Sequence, residues 1–160
     1  MPIRAAHPSE FTLLQAVEDA SGEVFRTIGM PEIADDDPMP LEAMRHAHVW
    51  VADEAGPVAW VAALEVDGQA HVEQLSVHPD HARRGIGAAL LDHVAAWAAE
   101  RGLAGLTLTT FRDVPWNGPY YRRLGFAPVT ALSPGLAEIV AAETARGLDP
   151  DAREVLRRGV

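Results

Sequence analysis

Apolar residues Leu13, Leu14 and Val17 recur at helical spacing, and Ser9 is placed to cap a helix beginning at Glu10. Ser21-Gly22 interrupts the pattern, and Val24, Phe25 and Ile28 resume it, which predicts two short helices with a joint. Pro31, Pro38, Pro40 and the run Asp35-Asp36-Asp37 mark Met30 to Pro40 as a loop, with a third short helix around Leu41 to His46. From Val49 the period falls to two. Val49-Trp50-Val51 reads as a short strand, and Pro57 to Val66 as a second with Val58, Trp60, Ala62, Leu64 and Val66 on one side. Asp67-Gly68 is a hairpin signal leading into a third strand, His71 to Val77, so the three strands form an antiparallel meander. A helix from about Arg84 to Arg101 follows, with Ile86, Leu90, Val94 and Trp97 on its buried stripe and Gly102 stopping it. Leu106 to Thr110 comes after that helix and is expected to lie parallel to the third strand. A short helix at Pro115 to Arg123, a strand at Phe126 to Thr130, a helix at Gly135 to Arg146 and a strand near Arg153 to Leu156 complete an α+β pattern with a mixed sheet.

Composition narrows what such a fold can do. The 160 residues fit one domain, 1–160, and the 48% hydrophobic share is enough to bury a core. There is no cysteine, which removes disulfides, thiolate metal sites and a cysteine-bound acyl intermediate. All 13 basic residues are Arg, so a Schiff-base lysine and a P-loop lysine are both excluded. With 23 acidic residues the formal charge is −10, which repels phosphate backbones and argues against a nucleic-acid partner. No secretion signal or membrane-spanning run is legible, so a soluble, cytoplasmic location is expected. His46 and His48 are not at metal-ligand spacing, and no metal is assigned. The Arg-only, Ala-rich usage resembles proteins of GC-rich bacterial genomes.

The stretch that carries chemistry is Glu73-Gln74-Leu75-Ser76-Val77-His78-Pro79 followed by Arg83-Arg84-Gly85-Ile86-Gly87-Ala88. A strand ends, a short loop turns and a helix begins. The N-terminus of that helix offers unpaired N–H groups and the positive end of its dipole, and the two glycines let a diphosphate approach the backbone. The alternative is that the glycines only let the helix pack on the sheet. A dinucleotide fold is disfavoured, because Leu106-Thr107-Leu108 stands where its acidic residue belongs and a meander precedes the loop. The run from Val77 to Leu91 resembles the acyl-CoA signature of the GCN5-related N-acetyltransferases, Gln/Arg-x-x-Gly-x-Gly/Ala, over Ala82 to Gly87, with Ala82 departing from the Gln/Arg slot. A second stretch, Asn117-Gly118-Pro119-Tyr120-Tyr121-Arg122-Arg123-Leu124-Gly125-Phe126, is similar to the family's Asn…Tyr-x-x-x-Gly-Phe segment.

The resemblance spans roughly residues 3 to 130. It implies an α/β/α sandwich with a mixed, mostly antiparallel sheet splayed between the strands at His71 to Val77 and Leu106 to Thr110, and helices on both faces. It also implies acetyl-CoA as co-substrate. Leu75, Ser76 and Val77 would pair with the pantetheine arm, and Arg83, Arg84, Gly85, Ile86, Gly87 and Ala88 would hold the diphosphate. By the same resemblance Tyr121 fills the slot of the general acid, the alternative being a packed aromatic. Glu73 and His71 share a strand face, and either position serves as the base in family members. Their alternatives are a salt bridge for Glu73 and an exposed strand start for His71. Asn117 either caps the short helix or touches the cofactor.

An amine titrates near 10.4 and a thiol near 8.5, so transfer calls for a base for the first and a proton donor for the second. The expected reaction is direct acetylation of a primary amine in a ternary complex, on a small-molecule or peptide acceptor. A protein N-terminal or lysine acetyltransferase and a non-catalytic acyl-CoA-binding module stand beside it. No membrane partner is expected, and a homodimer stays open. Asp35-Asp36-Asp37 is either a solvated loop or a lure for a cationic amine.

Overall fold

Side-chain periodicity and turn chemistry place thirteen helices and strands along the chain, described over residues 1–160 by a computed structural model. In order they are β1 (Ile3–Ala5), α1 (Phe11–Gly22), α2 (Pro31–Ala34), α3 (Leu41–His46), β2 (His48–Asp53), β3 (Pro57–Val66), β4 (Gln69–Val77), α4 (Ile86–Glu100), β5 (Gly105–Phe111), α5 (Gly118–Arg123), β6 (Ala127–Pro128), α6 (Pro134–Ala145) and β7 (Arg153–Gly159). The strands form one seven-stranded sheet in the order β1-β2-β3-β4-β5-β7-β6, mixed and mostly antiparallel as expected. No helix is long and apolar enough to cross a membrane.

The chain divides into two compact units, Met1–Ala63 with Gln74–His93, and Leu64–Glu73 with Val94–Val160. In the first unit, Phe11, Leu14 and Val17 of α1 pack with Met44, Val49, Val51, Trp60 and Ala62. The helix begins one residue later than expected, at Phe11, because Pro8–Glu10 is a 3₁₀ turn in which Glu10, not Ser9, returns a carboxylate to the His7 N–H at 2.8 Å. At Ser21-Gly22 the chain stays helical and tightens into a 3₁₀ turn over Glu23–Ile28 that stops at Gly29. The expected loop 30–40 contains α2, started by Pro31. Two bonds pin its far end to α1: Gln15 Nε2 donates to the Met39 carbonyl at 3.0 Å, and the Met39 N–H donates to Glu18 Oε1 at 3.0 Å. Strand β1, too short to show a period, is held by three antiparallel pairs with β2 and by Arg4, which bridges Glu10 at 2.8 Å and Asp53 at 3.0 Å.

The second unit is built on β5 and β7, paired from Gly105↔Gly159 to Phe111↔Arg153, so β7 runs three residues beyond its expected end at Leu156. The strand expected at Phe126 to Thr130 shrinks to two residues, since Pro128 has no N–H to give the ladder; the Val129 N–H then bonds Val155 O at 2.8 Å. Strand β4 meets β5 in parallel at Ala70↔Leu106 and His71↔Thr107, and Val72 and Glu73 continue without β5 partners in that ladder. The last pair is doubled by a side-chain bond, His71 Nδ1 to Thr107 Oγ1 at 2.8 Å, with both residues buried. His71 is therefore not an exposed strand start, and burial holds its pKa down at about 4. The turn Asp67-Gly68 has φ of 50° and 77°, the left-handed pair a two-residue hairpin requires. Asp67 has a second task. Its Oδ2 accepts from the Gly135 N–H at 2.7 Å, and Ser133 and Gly135 hold its carboxyl below the usual range, so the hairpin turn caps α6.

Two titrations follow from these environments. Burial pushes Glu18 up to about 7, so between pH 4.5 and 7 the folded chain keeps a proton the unfolded chain has lost, and stability falls as pH rises. Glu18→Gln stays neutral, keeps an oxygen for Met39, and should gain about 1–3 kcal/mol over the parent at pH 8 but little at pH 4.5 in denaturant unfolding. Equal effects at both pH values would contradict the buried-carboxyl account. His71 has the opposite sign: its contribution is complete above pH 6.5 and is lost as pH falls through about 4. NMR should show its ring neutral at pH 6 and titrating near 4; a midpoint near 6.5 would mean the ring is open to water.

Candidate active site

In the first unit, β4 ends at Val77 and the chain turns through a 3₁₀ segment, Pro79–His81, closed when the Asp80 N–H donates to His78 Nδ1 at 3.1 Å. Ala82 is extended, and Arg83 and Gly85 then take left-handed φ values of 62° and 74° before α4 starts at Ile86. The helix thus begins two residues later than the sequence pattern suggested, because Gly85 must be left-handed and cannot be helical. Its carbonyl accepts from the Ala89 N–H at 3.0 Å, so the N–H groups of Ile86, Gly87 and Ala88 precede the first intrahelical bond. Exposed Arg83 and Arg84 flank this terminus; Arg84 lies 3.5 Å from Glu54. On β4, Leu75 and Val77 are half-buried, and the buried Ser76 hydroxyl accepts from Gln74 Nε2 at 3.0 Å. These expected cofactor residues form one continuous strand-loop-helix segment, with backbone donors and two cations at its turn.

The second unit holds the expected catalytic residues. Glu73 is exposed as a residue, yet partial burial of its carboxyl end, and then the Glu143 carboxylate, raise its pKa, with Arg146 acting against them. No arginine pairs with it at salt-bridge distance, so the salt-bridge alternative is not what the structure contains. His71, two residues back, is neutral at physiological pH and committed to Thr107. Tyr121 lies in α5 with its ring edge-on to Tyr120 at 5.3 Å and to Phe126 at 5.8 Å. Burial, and to a lesser degree Tyr120, push its phenol above the ordinary range, so the hydroxyl stays protonated. Asn117 precedes α5 but makes no side-chain cap; its Nδ2 donates to the Trp116 carbonyl at 3.1 Å.

The sequence reading missed a polar cluster in this unit. Glu143 Oε2 accepts from Thr109 Oγ1 at 2.6 Å, and Arg153 reaches both, at 3.4 Å from Glu143 Oε1 and 3.2 Å from Thr109 Oγ1. The Arg153 guanidinium also lies over the Phe111 ring at 4.5 Å. Thr109 falls within the strand expected at Leu106 to Thr110 and Glu143 within the helix expected at Gly135 to Arg146, and no local pattern marks either as part of a site. Only the antiparallel β5–β7 pairing brings Arg153 beside β5.

The acetyltransferase (GNAT) family model matches residues 12–126. Among solved structures the chain resembles a GCN5-related N-acetyltransferase from Rhodopseudomonas palustris at 18% identity and a TM-score of 0.72, over 99% of this chain and 95% of that one. It resembles the PaiA N-acetyltransferase of Thermoplasma acidophilum, solved with coenzyme A, at 12% identity and a TM-score of 0.70, over 99% and 98%. It also resembles the ribosomal-protein-S18-alanine N-acetyltransferase of Escherichia coli at 16% identity and a TM-score of 0.68, over 99% and 93%. With the family model covering well over half of its length, the chain belongs to the acetyltransferase (GNAT) family, whose members are acyltransferases.

Proposed function

We propose that the whole chain, 1–160, works as one cytoplasmic acetyl-CoA-dependent N-acetyltransferase that acetylates a primary amine, on a small-molecule acceptor, by direct attack in a ternary complex. The observation that carries the reading is the strand-loop-helix segment. Strand β4 ends, Gly85 turns left-handed at a φ of 74°, and α4 opens with free N–H groups beside Arg83 and Arg84 on a chain of net charge −10. Such a terminus suits a diphosphate. Ala82 in place of Gln or Arg removes one side chain from the grip and leaves the backbone donors. Leu75, Ser76 and Val77 supply main-chain partners for the amide-rich arm. When bound, acetyl-CoA supplies an acetyl group activated as a thioester.

The chain's own residues then handle two protons. Glu73, with its pKa raised, accepts one from the acceptor ammonium, directly or through water, and is better matched to that task than an ordinary carboxylate. The neutral amine then attacks the thioester carbonyl, the C–N bond forms as the C–S bond breaks, and the second proton shed by the nitrogen replaces the one Tyr121 gives to sulfur. His71 acts on this reading as a positioning residue, its neutral ring locking the strand that carries Glu73. The Tyr121 hydroxyl donates toward the departing sulfur. A phenol above its ordinary range is a poor match to a thiol near 8.5, so the hydroxyl serves as a hydrogen-bond donor to developing charge and yields its proton late. Asn117 is assigned to the edge of the cofactor site.

Release of free CoA from acetyl-CoA, measured across a panel of amines, tests the activity. Turnover on peptide N-termini or lysines alone would favour the protein-acetylating reading, and acetyl-CoA binding without turnover a binding module. Gly87, buried in the first turn of α4, tests the cofactor assignment: Gly87→Val should raise the acetyl-CoA Kd by on the order of 10-fold, about 1.4 kcal/mol, with unchanged circular dichroism. Unaltered binding in calorimetry would leave that glycine a packing role only. For the acid, Tyr121→Phe keeps the ring against Phe126 and should lower kcat by roughly 10²-fold, whereas Tyr120→Phe should cost less than about 3-fold. Equal rates in all three proteins at saturating acetyl-CoA would return Tyr121 to packing.

A further inference from the structure

The second unit carries a half-open cavity of about 530 Å³, within the usual volume range for small-molecule sites. Its walls come from the C-terminal end of β5, from α5 and α6, and from the N-terminal end of β7, with apolar surface supplied by Val129, Leu132, Val140 and Leu148. Five charged side chains border it: Arg112, Arg122, Arg153, Glu143 and Glu154. Four of them cancel. Arg122 pairs with Glu154, and Arg153 with Glu143 at 3.4 Å.

Arg112 is the charge left over. Its Nη1 donates to the Asp151 carbonyl at 2.6 Å and its Nη2 to the Arg153 carbonyl at 2.9 Å, so the main chain holds the guanidinium while no carboxylate neutralises it. Two of its five N–H donors are used, which leaves a fixed cation with donors to spare. On a chain of net charge −10, a cavity with one surplus positive charge is a local inversion. One unit of charge suits a carboxylate better than a phosphate dianion.

Two of the residues that line the cavity are linked to the proposed chemistry. Arg122 follows Tyr121 directly in α5. That helix starts hard against Arg112, since a Cβ at Gly118 would come within 2.5 Å of the Arg112 carbonyl. Glu143 borders the cavity and is the carboxylate that acts on Glu73. Glu143 is already paired with Arg153, so the carboxylate left without a salt bridge on this side is Glu73 of β4, while a carboxylate-seeking arginine stands at the end of β5. We infer that this cavity binds the acceptor, and that the acceptor is an amine carrying its own carboxylate and an apolar body, its carboxylate on Arg112 and its ammonium toward Glu73. The inference rests on the acetyltransferase reading for the word acceptor, but not for the binding of the carboxylate.

The test pairs acids with their amides at two amine-to-carboxylate spacings: leucine with leucinamide, and 6-aminohexanoate with 6-aminohexanamide. At least one acid should exceed its amide in kcat/KM by on the order of 10-fold or more, the scale of a charge-assisted hydrogen bond. Arg112→Gln should bring that ratio close to one through KM, and Arg112→Lys, which keeps the charge, should restore part of it. Amides used as well as acids at both spacings, or a preference that survives Arg112→Gln, overturns the inference. A probe without an amine, 4-methylpentanoate, separates the two layers. Its binding, followed by NMR on the ligand's own signals, should weaken on the order of 10-fold in Arg112→Gln even if no amine is ever acetylated. Absence of that binding in the parent chain would overturn the cavity assignment whether or not CoA is released from other amines.

Discussion

The buried bond between His71 and Thr107 sits where the parallel ladder of β4 and β5 stops. A two-pair parallel ladder is a weak junction, and its slanted backbone bonds give less per residue than antiparallel ones. A side-chain bond between two buried groups adds direction to it, because breaking the bond would leave a ring nitrogen and a hydroxyl without water or partner. The ring must be neutral for this, and burial keeps it so. Beyond the junction, Glu73 has no β5 partner in the ladder, and the Glu143 carboxylate of α6 acts on it. The position of the proposed base, the burial of His71 and the end of the ladder are one constraint seen three ways.

Electrostatics elsewhere obeys the lack of lysine. Every cationic anchor is a planar guanidinium, able to hold two partners at once. Arg4 joins β1, the turn before α1 and the end of β2 through Glu10 and Asp53, and Arg26 gathers Glu23 and Asp35. The exposed pairs of this kind contribute little to stability. Their effect is to spend acidic groups on nearby arginines, and among the arginines that line the cavity only Arg112 is tied to carbonyls and to no carboxylate.

Much of the fold was legible because its signals are local. The meander showed itself by period two, the hairpin by Asp67-Gly68, and the helix after β4 by its apolar stripe. What escaped was set by distant partners. Ile3–Ala5 becomes a strand only because β2 offers Trp50 to Ala52, and β7 extends to Gly159 because β5 pairs along its whole length. The site divides in the same way. The segment proposed for acyl-CoA is contiguous and therefore legible in the sequence, apart from a helix start displaced by the left-handed Gly85. Tyr121 and Glu73 were singled out as candidates by motif and strand parity. Glu143, Arg153 and Arg112 were not, since nothing local marks them and the sheet order β5-β7-β6 assembles them.

The double duty of Asp67 bears on the order in which the chain can organise itself. Its hairpin closes a loop of a few residues, whereas its bond to Gly135 spans 68 positions. Chain entropy makes the second closure costlier by about 2–3 kcal/mol. The turn is a local structure, whereas the cap it gives α6 depends on a distant segment. Because α6 supplies one wall of the Arg112 cavity, the shape of that recess is tied to a two-residue turn 68 positions away in the chain.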